Sequence, residues 1–225
     1  MLGTIANVIA VTAGGILGVV IGRKLRDRYV NILFQALGLV TMGLGFSMVL
    51  ESNNLIIAVV SMVLGSLIGE ALNLERGLEK GANALKRVLP FRSERFNEGF
   101  ITATILYCVG SMAILGSIED GLGLFPKLLY TKSIMDGISS VALAAAMGIG
   151  VVFSIIPVAL YQGLLTLFAS GISSIMSSIM IAEITSVGGL ILIGIGLNLL
   201  KIKHVSVTNM LPAIVIAPLL AYFFL

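Results

Sequence analysis

The sequence predicts an all-α fold, a polytopic transmembrane helical bundle of about eight membrane segments, and three observations predict it. Of the 225 residues, 58% are hydrophobic and 11% charged, against roughly 25% charged in an average soluble domain. Fourteen basic and eleven acidic side chains are too few to cover the exterior of a water-soluble fold of this length. Apolar runs of about 20 residues, the length that crosses the hydrocarbon core, recur along the chain. Twelve of the fourteen Lys and Arg residues gather in three clusters, the pattern by which a multi-pass protein marks its cytoplasmic side. The chain, 1–225, reads as a single transmembrane domain.

The first span covers 2–22. No basic n-region precedes it and it is too long for a signal h-region, so it is expected to be retained. Spans two and three cover 29–50 and 54–72. Gly14, Gly18 and Gly22 recur every fourth residue, as do Ser61, Gly65 and Gly69. Such faces let a second backbone approach closely, within the chain or across a homo-oligomer.

The stretch 73–98 is the only sizeable polar one. Leu74, Leu78, Leu85, Val88 and Leu89 recur among Lys, Arg and Glu at near-helical spacing, and Pro90 ends the pattern. This describes an amphipathic connector lying at the cytoplasmic interface.

The fourth span, 99–118, lies within EGFITATILYCVGSMAILGSIEDGL. Gly99, Ala103, Gly110, Ala113, Ser117 and Asp120 follow at helical steps and give it one small, mildly polar face. That face suits close packing or a narrow aqueous route. The next apolar run, 133–170, is too long for one span and folds back as a hairpin turning near Gly148 and Gly150, with arms of about 15 and 20 residues. The first arm is short. The second carries Pro157, which removes a backbone donor and frees the carbonyl near Phe153.

Two further spans cover 182–200 and 205–225. The basic clusters are Arg23, Lys24, Arg26 and Arg28; then Arg76, Lys80, Lys86, Arg87, Arg92 and Arg95; then Lys201 and Lys203. Keeping all three on one side gives eight segments with both termini outside. A weak echo of the pattern G-x-x-L-N-L-x-[RK] links Gly69 to Arg76 with Gly194 to Lys201. It reads either as convergence of two helix ends or as a duplicated half, a common transporter feature.

No HExxH, C-x-x-C, G-x-S-x-G or Walker pattern is present, so no enzymatic activity and no cofactor are expected. His204 is the only histidine and sits beside Lys201 and Lys203; Cys108 is the only cysteine, and ten Met residues are dispersed. No metal site follows. A net charge of +3 gives no case for nucleic acid.

What remains is polarity inside the membrane, which is costly and marks candidate function. Glu51, Glu119, Asp120, Asp136 and Glu183 fall at the outer ends of spans. Asp136 follows Lys132 by four residues, which suits an intrahelical ion pair; alternatively, Glu119, Asp120 and Asp136 line an outward-facing vestibule for cations. Ser133, Ser139 and Ser140 precede the hairpin turn, and Tyr161 and Gln162 follow the proline break. Interrupted segments of this kind point to a transport site. The candidate substrate-binding set is therefore Asp136, Gln162, Tyr161, Glu119, Asp120 and Ser140.

EGFITATILYCVGSMAILGSIEDGL, KSIMDGISS, FSIIPVALYQG and SVGGLILIGIGLNLLKIKHVSVTNMLP, together with the opening GTIANVIAVTAGGILGVVIG, resemble the signature blocks of the YdfK/YqgA family of prokaryotic integral membrane proteins, grouped under a domain of unknown function. The resemblance covers nearly the whole chain. It implies the multi-pass topology, a prokaryotic source and the cytoplasmic membrane. The expected function is transport or conduction of a small solute, cation- or proton-coupled; the alternative is a membrane scaffold or sensor acting through its packing faces.

Overall fold

A computed structural model describes residues 1–88 and 95–224. Leu89, Pro90 and Arg92, assigned above to the connector and its basic cluster, lie outside the described residues, as does Leu225. Every described element is helical: α1 (Leu2–Gly22), α2 (Asp27–Val49), α3 (Leu55–Ala71), α4 (Leu74–Val88), α5 (Phe96–Cys108), α6 (Ser111–Gly121), α7 (Lys127–Met147), α8 (Gly150–Phe153), α9 (Ile155–Leu167), α10 (Ala169–Ile175), α11 (Ser178–Leu199), a 3-10 turn (Val207–Met210) and α12 (Pro212–Phe224).

Among the described residues five helices are long and apolar enough to span a bilayer, with α8 and α9 counted as one and the 3-10 turn joined to α12, and the number reaches seven if each bent pair is one span. The eighth expected segment corresponds to α7, which has the length, 21 residues, but carries Lys127, Lys132 and Asp136.

Three expectations are revised. The fourth span is not straight: it bends by 63° between α5 and α6, where Gly110 takes φ +130°, a conformation that L side chains rarely adopt. The first hairpin arm is not short, because the helix begins at Lys127 rather than at 133. Lys132, which bounded the apolar run, lies inside the helix paired with Asp136. The turn does fall at Gly148, which closes α7 with φ 83°. Pro157 lies in the first turn of α9, just after a one-residue interruption at Ser154. A proline there disturbs the helix far less than one in its interior.

The chain divides into two compact units, one comprising 1–34, 82–108 and 112–175, the other 35–81, 109–111 and 176–225. In the first, α1 lies along α7 through its glycine face. Gly14 faces the carbonyl of Gly137, Gly18 that of Val141, and a Cβ at Gly22 would stand 2.5 Å from the Ala145 carbonyl. The small residues thus let two backbones touch, where dispersion and not water exclusion holds membrane helices together. Nearby, Ala82, Phe96 and Phe100 form a buried apolar cluster with Leu85 and Phe153 packed on it.

In the second unit α11 is the core element. Its central window is 78% buried, against 22–39% for the other four apolar spans. Gly45 of α2 and Gly189 of α11 approach reciprocally, each facing the other's carbonyl. On α3, Gly65 and Gly69 face Ala213 and Asn209, and Ser61 is fully buried.

The expected amphipathic connector is α4, on which Leu74, Leu78, Ala82 and Leu85 are buried or half-buried while Arg76, Glu79, Lys80 and Arg87 are exposed. Its start is capped by Asn209, which accepts from the Glu75 N–H at 2.8 Å and donates to Glu70 at 2.7 Å. The two asparagines of the internal echo do different work. Asn73 is a left-handed residue after α3, φ 52°, whereas Asn198 is helical and clamps the Val205 backbone from both sides at 2.9 and 2.7 Å. The left-handed residue after α11 is Lys201, φ 55°, so the caps do not align with the echo.

Candidate functional site

The buried face of α7 carries Leu129, Lys132, Ser133, Asp136, Ser140 and Leu143, at the steps of three and four that keep side chains on one stripe of a helix. Lys132 Nζ pairs with Asp136 Oδ2. Asn7 of α1 donates its amide to the same carboxylate oxygen at 3.1 Å. One turn further along α7, Ser140 and the Tyr107 hydroxyl of α5 share a hydrogen bond of 2.8 Å. The Lys132 ammonium stands 5.7 Å from the centre of the Tyr107 ring. All five residues are buried, Asn7, Tyr107 and Ser140 completely. The array is net neutral, the form in which opposite charges persist in a low-dielectric interior.

α9 carries a different kind of polar group. Gln162 is completely buried, and among the described residues neither its amide oxygen nor its amide nitrogen has a hydrogen-bond partner. Thr166, one turn on, is buried with its hydroxyl likewise unpartnered. Ser117 of α6 and Thr4 of α1 repeat the situation, and α6 meets α9 where Gly121 faces the Thr166 carbonyl. An unsatisfied buried polar group costs about 1–3 kcal/mol. Their recurrence on three helices of one unit marks places for water, an ion or a polar solute.

The remaining predicted residues take other positions. Asp120 is buried and serves α1: it accepts from the Gly3 N–H at 3.0 Å and from the Met1 amine at 2.9 Å, with its charge at the positive end of the helix dipole. It is not an open vestibule residue. Glu119 is half-buried with one carboxylate oxygen, Oε2, enclosed and unpartnered. Tyr161 is half-buried beside Gln162. Ser139 is half-buried and donates back to the Met135 carbonyl. The contacts of Gly3 and Asn7 set Asp120 and Asp136 roughly 6 Å apart along α1. The structure therefore brings Asp136 and Ser140 into one array and leaves Asp120 as a helix cap.

Residues 2–222 match a family model described as "Protein of unknown function (DUF554)". The chain belongs to this family. It is 34% identical over 226 residues to the "Uncharacterized membrane protein YdfK" of Bacillus subtilis (strain 168), covering 99% of this chain and 96% of that protein. It is 31% identical over 224 residues to the "Uncharacterized protein YqgA" of Escherichia coli (strain K12), covering 96% and 94%. No solved structure matches the chain. Family membership and the apolar helices together make it a membrane protein.

Sequence reasoning placed Glu183 among the outer acids without a role, and it missed Asn7 and Tyr107. In the second unit Glu183 is completely buried and accepts from Ser52 Oγ at 2.8 Å, Asn53 N–H at 2.8 Å and Asn54 N–H at 3.0 Å. It fastens the turn between α2 and α3 to α11. The available signal was the polar triplet Ser52–Asn54 lying opposite an acid one turn inside an apolar helix. Glu183→Ala is expected to strand these donors and cost about 2–4 kcal/mol, while Glu183→Gln, which keeps an acceptor, costs less. Thermal unfolding, with proteolysis at 50–54 as the local readout, checks the order.

Proposed function

We propose that this membrane protein transports or conducts a small solute, coupled to a cation or to protons, through the first compact unit. The observation that carries the reading is a buried charged array together with an unpartnered polar group: Lys132 and the Asn7 amide nitrogen bonded to Asp136 on α1 and α7, and Gln162 buried on α9 with neither end of its amide partnered among the described residues. A polar side chain with nothing to bind is retained inside a membrane where something else binds it. The basic clusters support the cytoplasmic membrane of a prokaryote with both termini outside. Asp136 then lies roughly 14 Å along α7 from the outer end.

In this mechanism a cation or proton arriving at Asp136 competes with Lys132 for the carboxylate. The released ammonium stays against the Tyr107 ring, and Asn7 rotates its amide with the change of charge. Gln162, with Thr166 one turn away, ligates the solute through donors and acceptors both, which suits a small neutral or zwitterionic polar molecule or a partly hydrated cation. No catalytic chemistry is part of this reading.

The scaffold alternative is less well supported, since the glycine faces of α1 and α3 pack within their own units and are not left for another chain.

Flux into proteoliposomes tests the reading, with a pH-sensitive dye for protons and a panel of monovalent and divalent cations, amino acids and small polyols. Asp136→Asn is expected to abolish the coupled flux, and Gln162→Ala to raise KM about tenfold for the loss of a polar contact. If no member of the panel moves, or both folded variants behave as wild type, the assignment is overturned.

A further inference from the structure

A second feature of the first unit lies toward the other end of α1, away from the polar array. The end of α1, the start of α2 and the last three turns of α7 enclose a groove of about 570 Å³, within the range of small-molecule sites. Ile21, Leu25, Tyr29, Ile32, Val141 and Ala145 line it, and the lining is almost entirely apolar. The groove lies among the apolar turns of these helices and ends at the segment that joins α1 to α2. There the connecting segment carries Arg23, Lys24, Arg26 and Arg28, all exposed, with Asp27 as the only acid among them. None of the four cations makes an ion pair among the described residues.

We propose that the groove holds an acyl chain of an anionic phospholipid whose phosphate is bound by Arg23, Lys24, Arg26 and Arg28. Charge complementarity selects the occupant. A neutral lipid fills the groove equally well but leaves four cations uncompensated, and basic pockets at the cytoplasmic side of membrane helices recognise acidic headgroups. The groove adjoins residues that alternate in sequence with those cations, Leu25 between Lys24 and Arg26 and Tyr29 after Arg28, so a lipid in van der Waals contact with the groove has its phosphate within reach of them. Tyr29 suits the boundary, with an apolar ring and a polar tip. A lipid here packs on α7 along the same segment that holds α1, since Ala145 also faces Gly22.

The test uses the full chain in a non-ionic detergent, titrated with phosphatidylglycerol or with phosphatidylcholine and followed by native mass spectrometry and thermal unfolding. Wild type is expected to prefer phosphatidylglycerol by about tenfold. The variant carrying Arg23→Gln, Lys24→Gln, Arg26→Gln and Arg28→Gln loses the preference, and Arg23→Lys with Arg26→Lys and Arg28→Lys keeps it. Ala142→Phe, which fills the groove and leaves every charge in place, lowers the number of lipids bound tightly. Circular dichroism establishes that each variant is folded, and 0.5 M salt on wild type supplies a measurement independent of any substitution: it should erase the preference. Equal binding of the two lipids by wild type, an unchanged preference in the neutralised variant or at high salt, or undiminished binding by Ala142→Phe overturns the proposal.

Discussion

Replacing Lys132 by methionine is expected to destabilise the protein by about 3–5 kcal/mol, the range for removing one partner of a buried ion pair. The loss comes from the carboxylate that remains. Asp136 is 7% exposed, and without the ammonium its remaining donor among the described residues is the Asn7 amide at 3.1 Å. Lys132→Met combined with Asp136→Leu removes both charges and is expected to recover most of the loss, because a well-packed apolar pair of similar volume replaces a desolvated ionic one at little net cost. Reversible unfolding of the full chain in mixed micelles measures these two variants and Asp136→Leu alone, and the three together yield the coupling energy. A loss below about 1 kcal/mol in the single variant would place the pair in the class of exposed bridges, contrary to its burial. The same series separates stability from transport. If the double variant is as stable as wild type yet moves no solute, the pair is retained for function.

Gly18→Leu is expected to disrupt the pairing of α1 with α7. A β carbon at Gly18 overlaps the Val141 carbonyl and approaches the Ala144 methyl to 2.9 Å, and since α7 backbone, not a flexible side chain, stands in the way, the helices must separate. Overpacking of this kind costs about 1–3 kcal/mol, more where the backbone cannot yield. Gly43→Ala is the control. It lies in α2 with no atom within 4 Å of the added methyl and is expected to be neutral or to stabilise by up to about 1 kcal/mol through helix propensity. Thermal unfolding in detergent ranks the pair, and equal melting temperatures would refute the backbone contact.

Much of the architecture was legible from composition. The apolar windows located α1, α2, α3 and α11, and the alternation of Leu with charged residues located α4. The bend at Gly110 was not legible, because a glycine in an apolar run is also an ordinary packing residue; only its positive φ separates the two. The start of α7 was misplaced for a different reason. Lys127 and Lys132 read as residues outside the membrane until they are seen to lie with Asp136 within one continuous helix, Lys132 and Asp136 neutralising each other across one turn. For the candidate site, the Lys132–Asp136 spacing announced the pair, and the proline break drew attention to Gln162. Asn7 and Tyr107 carry no such signal, as a lone amide or phenol in a span has no local pattern.

The sequence by itself determined which segments are apolar enough to enter a membrane and where positive charge gathers between them, since insertion depends on the summed transfer energy of consecutive residues and on the loops beside them. Only the tertiary structure decided which of the buried polar groups meet. Asn7 and Asp136 are 129 positions apart, as remote as any local periodicity can leave them, and they touch because Gly14, Gly18 and Gly22 let α1 settle onto α7 in one register. Lipid presents the same apolar surface to every helix, so steric fit and polar satisfaction choose among the pairings that hydrophobicity leaves equivalent.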